Sequence, residues 1–287
     1  MSWREYFNRL TSEPTLRERG ASVISEEPWV AAFPGFLSGD EADEVIRMGL
    51  TEGLRDEDEH PKRIRNVSVT NCDSARCMQN PMMNELSRRV SSLLGAPSRN
   101  FESMEFVRYE PGQHYVWHPD EYSWRRRGWS AKRTDPVQVL SGPRVLTMFF
   151  YLSDVEEGGE TGFLGDKQSP PPDEIAAAAA AAAADTKASA SKVARPGQAA
   201  VGTTLDAAGN AGAAAETGGA KLLVKPQKGK AILWANMQDD WRAAAPAAVH
   251  RAFAVRKGIK WASTLWIHAQ GFRIPELYAG SACQPPR

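Results

Sequence analysis

Apolar positions along this chain follow two periods, and the change between them divides it. Ahead of about residue 100 they repeat at helical spacing. Ala42, Val45, Ile46 and Leu50 follow Ser38-Gly39-Asp40, and Leu86, Val90, Leu93 and Leu94 lie between Asn80-Pro81 and Gly95. Ser38 and Asn80 can cap orphan amides, Pro81 suits a first helical position and Gly95 can end a helix, so two helices are predicted. Trp29–Phe33 reads as a buried strand ahead of them, and 53–65, dense in charge, as an exposed loop.

From Met104 the runs become short and strand-like. Met104–Tyr109 and His114–His118 flank a Pro111-Gly112 turn. Arg144–Leu152 alternates Val145, Thr147, Phe149 and Tyr151 on one face with Leu146, Met148 and Phe150 on the other. After a Glu156–Thr161 turn, strands are expected at Leu222–Val224, Ala231–Trp234, His250–Val255 and Trp261–His268. Short strands behind two helices predict a mainly β (α+β) fold, a double-stranded β-helix or jelly roll buttressed by N-terminal helices.

Composition refines the boundaries. Residues 1–27 are polar and broken by Pro14 and Gly20, which predicts a loosely ordered extension. Residues 28–287 then form a single domain, interrupted at about 168–220 by a Pro/Ala/Gly-rich insertion with nine consecutive alanines at 176–184. That segment has too little apolar surface to pack a core.

Lys+Arg and Asp+Glu both number 35, so no global field draws the chain to nucleic acid or an anionic membrane. No apolar run approaches the roughly 18 residues that span a bilayer. The opening MSWREYFNRL has charges where a signal peptide would be apolar. The chain as written reads as cytoplasmic, with the endoplasmic reticulum the alternative if a leader precedes it. Cys72 and Cys77 could close a small loop or stay as two reduced thiols, and Asn66-Val67-Ser68 fits a glycosylation acceptor.

The chemistry centres on Glu110–Asp120. His118 and Asp120, two residues apart past a strand end, can reach one metal ion, and His250 is the candidate third ligand. Two histidines and a carboxylate on one face leave three positions open, the donor set of non-haem iron(II) oxygenases. His60, His114 and His268 lack such company, although alternation puts His114 on the same face as His118. Lys260 heads an otherwise apolar strand and shares a face with Ala262, Thr264 and Trp266. If that face lines a pocket, the ammonium needs an anion, which a dicarboxylate cosubstrate would supply.

The runs RYEPGQHYVWHPD, GPRVLTMFFYLSDVEEGGETGF, KPQKGKAILW and KGIKWASTLWIH, with His250, resemble the prolyl 4-hydroxylase branch of the 2-oxoglutarate- and iron(II)-dependent dioxygenases over roughly residues 28–273. The resemblance implies an oxidoreductase that uses Fe(II), 2-oxoglutarate and O2, with room for ascorbate, to hydroxylate prolyl residues in peptides. It implies His118, Asp120 and His250 as iron ligands. Lys260, Tyr109, Thr147 and Tyr151 would bind 2-oxoglutarate, and Tyr115, Arg144 and Trp266 would lie near the proline. The alternatives are the same chemistry on another side chain or a small molecule, and a catalytically silent peptide-binding barrel.

Overall fold

The structure is a computed structural model that describes residues 1–57, 66–121, 141–165, 219–241 and 243–272. His60, the arginine-rich stretch 124–133 and the insertion from 168 to 218 lie outside the described residues.

The expectation of a loosely ordered extension over residues 1–27 is corrected. Two helices, α1 (Trp3–Thr11) and α2 (Pro14–Glu18), and a strand, β1 (Ser22–Glu26), occupy it. Ser2 and Glu5 close a capping box on α1, satisfying amides that would otherwise be orphaned. Trp3, Phe7 and Leu10 make a narrow stripe on α1 and are buried in the main core. Three apolar positions among polar ones are enough when the facing sheet supplies the rest of the burial.

Next come β2 (Trp29–Phe33), α3 (Gly39–Glu52), β3 (Arg55–Glu57), β4 (Val67–Asn71), α4 (Ala75–Met78) and α5 (Pro81–Leu94). The two long predicted helices are present, capped by Ser38 and Asn80, and Gly95 ends α5 in a left-handed conformation. On α3 the buried stripe runs through Ala42, Val45, Met48 and Gly49, leaving Leu50 56% exposed. Gly49 sits where a Cβ would lie 3.0 Å from the Phe106 ring, so this face needs the smallest residue. A disulfide joins Cys72 to Cys77, and both half-cystines are buried beside these helices.

The remaining strands are β5 (Glu105–Tyr109), β6 (Tyr115–His118), β7 (Arg144–Tyr151), β8 (Glu157–Gly158), β9 (Thr161–Phe163), β10 (Leu222–Val224), β11 (Ala231–Ala235), β12 (His250–Ala252), β13 (Val255–Lys257) and β14 (Lys260–His268). The run expected as one strand, His250–Val255, is broken at Phe253-Ala254, so β12 and β13 pair with different partners.

The architecture is mainly β with antiparallel pairing. One sheet has eight strands in the order β1-β2-β11-β7-β14-β5-β4-β3, and a second has four in the order β10-β9-β12-β6. Strand β7 is central to the first, and its alternation assigns two environments. Leu146, Met148 and Phe150 enter the core beneath the helices, while Phe149 and Tyr151 join Phe163, Trp234 and Ala262 in a second cluster between the sheets. This inter-sheet side holds the candidate site.

Candidate active site

Strands β12 and β6 set the two histidines opposite each other, His250 in register with His118. The next pair is Ala252 with Tyr115, so three steps along β6 match two along β12. This bulge-like shift resets the alternation. It brings Tyr115, and not His114, onto the His118 side, where the two rings stack with centroids 3.5 Å apart. Asp120 follows just beyond the strand end.

The ligand atoms of His118, Asp120 and His250 all lie within 4.8 Å of one another. His250 Nε2 is 3.8 Å from Asp120 Oδ2. Each imidazole is oriented by its own backbone: His118 Nδ1 is 2.7 Å from the Val116 carbonyl, and His250 Nδ1 is 2.9 Å from the Ala248 carbonyl. A carbonyl only accepts, so Nδ1 carries the proton on both rings and each Nε2 keeps its lone pair for a metal. Trp234 packs edge-on against His250 at 4.8 Å between centroids, limiting the ring's freedom. The donor set and its orientation therefore fit one divalent ion held from one side, with positions left for small ligands.

A cavity of about 290 Å³ opens over this trio, walled by Tyr109, Tyr115, Phe149, Thr161, Thr264, Trp266, Glu105, Arg144 and Arg251, among others. Lys260, at the head of β14, is fully buried behind two residues of the cavity wall, Tyr109 and Phe149. Its Nζ donates to the Gly159 carbonyl at 2.7 Å and sits 5.1 Å from the Tyr109 ring centroid, with Phe149 and Tyr151 at 5.5 and 5.6 Å. Burial pulls the ammonium down to about 7, with the Glu160 carboxylate pulling the other way. The sharp turn that presents Gly159 requires its neighbour: a Cβ on Gly158 (φ +78°) would lie 2.3 Å from the Ala254 carbonyl oxygen.

Other sequence-predicted residues divide. Tyr109, Tyr115, Arg144 and Trp266 do line the cavity. Thr147 instead stands behind the carboxylate, its Oγ1 donating to Asp120 Oδ2 at 2.7 Å. Tyr151 is fully buried, and its hydroxyl donates to Thr161 Oγ1 at 2.8 Å. Burial pushes that phenol well above its ordinary range. Thr161, in the GGET run, reaches the cavity wall but was not singled out by sequence, because one threonine in a turn carries no pattern.

Glu102 and His268 were missed as well. Arg144 forms an ion pair with Glu102 through Nε, and its Nη2 donates to Glu102 Oε2 at 2.8 Å. His268 Nε2 lies 2.7 Å from Glu102 Oε1. Burial alone would raise the Glu102 carboxyl, but hydrogen bonds from His268 and Arg144 outweigh it and hold it below its usual range. The Arg144 guanidinium also lies over the Trp266 ring at 3.9 Å. The signal available in sequence was only that a carboxylate and a histidine each adjoined apolar strands.

Two imidazoles and one carboxylate converging beneath a cavity between antiparallel sheets define the class: a mononuclear non-haem metal oxygenase. The chain belongs to the 2OG-Fe(II) oxygenase superfamily, whose family model matches residues 104–268. It is a 2-oxoglutarate-dependent dioxygenase, a family whose chemistry uses Fe(II), 2-oxoglutarate and O2. Among curated proteins it is 26% identical to prolyl 4-hydroxylase 2 of Arabidopsis thaliana over 254 residues, covering 87% of this chain and 70% of that one. It is likewise 26% identical to prolyl 4-hydroxylase 5 of the same plant, over 90% of this chain and 74% of that one. The fold is similar to the viral collagen prolyl hydroxylase of Paramecium bursaria Chlorella virus-1 in complex with 2OG, with a TM-score of 0.52 at 20% identity, covering 86% of this chain and 99% of that one. No helix among the described residues is long and apolar enough to cross a membrane.

Proposed function

We propose that this enzyme hydroxylates prolyl residues in peptides or proteins, with His118, Asp120 and His250 as the iron ligands. The observation that carries the reading is the pairing of that trio with a buried ammonium, Lys260, packed against Tyr109 and Phe149 of the cavity wall. The curated relatives are prolyl 4-hydroxylases along most of the chain, which favours proline over other targets. The two sheets are then the two faces of a double-stranded β-helix, and the N-terminal elements and α3 and α5 buttress its larger face.

Fe(II) bound with 2-oxoglutarate and O2 supplies oxidative decarboxylation to succinate and carbon dioxide, with one oxygen passing to the substrate. The chain's own groups do the rest. His118 and His250 present fixed Nε2 lone pairs, and Asp120 adds a charge that favours a divalent ion. Lys260 receives the distal carboxylate of 2-oxoglutarate, and Thr161 offers a hydroxyl on the neighbouring wall. Phe149, Tyr151 and Tyr109 keep that end apolar, so the charge-assisted hydrogen bond forms with little competing water. Tyr115 and Trp266 provide flat faces at the cavity wall against which a proline ring can pack.

The test is incubation of Fe(II)-loaded protein with 2-oxoglutarate and a proline-rich peptide panel, read by mass spectrometry. One added oxygen on a proline, stoichiometric with succinate, is expected. Succinate formed with oxygen placed on another residue would keep the oxygenase and discard the prolyl assignment.

A further inference from the structure

Asp120 is oriented differently from the two histidines. Both imidazoles lean on backbone carbonyls two residues back, whereas the carboxylate leans on a chain of side chains from elsewhere in the fold. Thr147 Oγ1 on β7 donates to Asp120 Oδ2 at 2.7 Å, and Asn236 Nδ2, just past β11, donates to Thr147 Oγ1 at 2.8 Å. All three residues are buried, Thr147 completely.

The direction of these bonds is fixed by valence. A hydroxyl has one proton, and an ionised carboxylate can only accept, so that proton goes to Asp120. Thr147 Oγ1 is then an acceptor, and the amide must turn its NH2 toward it. Among the described residues, the buried Asn236 Oδ1 finds no hydrogen-bond partner, a cost the fold carries to keep the amide facing this way. Asn236 is itself held by its backbone, its N–H donating to Val145 and its carbonyl accepting from Ala245.

We infer that Thr147 and Asn236 form a positioning relay that sets the rotation of the Asp120 carboxylate for metal binding, making Thr147 a positioning residue and not a 2-oxoglutarate contact. This rests on the proposed iron site, and it is tested on the metal alone. Cobalt(II) affinity is measured by competition with a chelating dye, together with the cobalt visible spectrum and thermal unfolding of the metal-free protein. Thr147→Val keeps the shape and loses the hydroxyl. It is expected to weaken cobalt(II) binding by about 10- to 100-fold, the range for loss of a group that orients a ligand, and to alter the spectrum. Thr147→Ser, which retains the hydroxyl, stays close to wild type.

Wild-type affinity in folded Thr147→Val protein overturns the relay, and so does an equal loss in Thr147→Val and Thr147→Ser. Should Thr147→Val fail to fold, Asn236→Leu decides. Removing the amide is expected to cost roughly tenfold in affinity, and an unchanged value overturns the proposal. A wild-type protein that binds no cobalt(II) sinks the iron site and the relay with it, which separates that failure from failure of the relay alone.

Discussion

Two cations flank the candidate site, Arg144 partly buried and Lys260 fully, and they are satisfied in opposite ways. Arg144 has a carboxylate of its own: Glu102 takes its guanidinium in a two-point grip, His268 braces the far side, and Trp266 covers the face. Lys260 has a backbone carbonyl and three aromatic rings. Burial would lower Arg144, but Glu102 outweighs it and raises the guanidinium further, whereas burial dominates at Lys260 and brings it to about 7. The first cation is complete within the fold. Among the described residues, the second is held without a carboxylate hydrogen-bonded to it, which under the proposed function leaves its charge for the anion of a cosubstrate.

The largest effect probes the shared centre between them. Asp120→Ala should reduce 2-oxoglutarate-dependent succinate formation to background, and persistent peptide-coupled succinate would remove the carboxylate from the ligand set. The next breaks the complete pair. Arg144→Met leaves the buried Glu102 carboxylate without its guanidinium, with His268 still beside it, and is expected to destabilise the protein by about 3 kcal/mol in denaturant unfolding. Lys260→Met should do the reverse in ligand-free protein, being neutral or stabilising by about 1 kcal/mol. The same change should weaken 2-oxoglutarate binding by about 10- to 100-fold, the loss of one charge-assisted hydrogen bond. Equal destabilisation by both variants would show that the two cations do not differ in this way.

A pH series sharpens the comparison without mutation. The folded, ligand-free Lys260 releases its proton near pH 7, while the unfolded side chain keeps it to its ordinary value of 10.5. Between those values the unfolded state binds more protons, so this group's contribution to stability is lowest below pH 7 and rises with pH toward 10.5. Affinity for 2-oxoglutarate should fall over the same interval, since the anion needs the charged amine. Calorimetry at several pH values checks both trends, and Lys260→Met should remove both. The smallest effect is Tyr151→Phe, which deletes the hydroxyl bond to Thr161 and should cost about 1 kcal/mol of stability.

Much of this site could be read in advance because its parts are local. His118 and Asp120 are two residues apart at a strand end, and their spacing alone puts them near one point. Lys260 stood out as a charge at the head of an apolar strand. Tyr151 and Thr147 share one face of β7, yet their hydroxyls meet different partners. Thr147 faces a carboxylate from beyond β6, and Tyr151 faces Thr161 on β9. Alternation tells which side a residue faces but not what stands opposite.

The sequence by itself determined the residue types able to hold iron and a dicarboxylate, the two capped helices, and the strand character of the second half. These follow from short-range spacing, capping chemistry and intrinsic preference. Tertiary structure alone decided that Tyr115 replaces His114 beside His118, that α1 is core and not extension, and that Glu102, Arg144 and His268 form one network. Each depends on register between strands far apart in the chain, where a slip of a single residue exchanges the two faces, and register is chosen by the whole sheet at once.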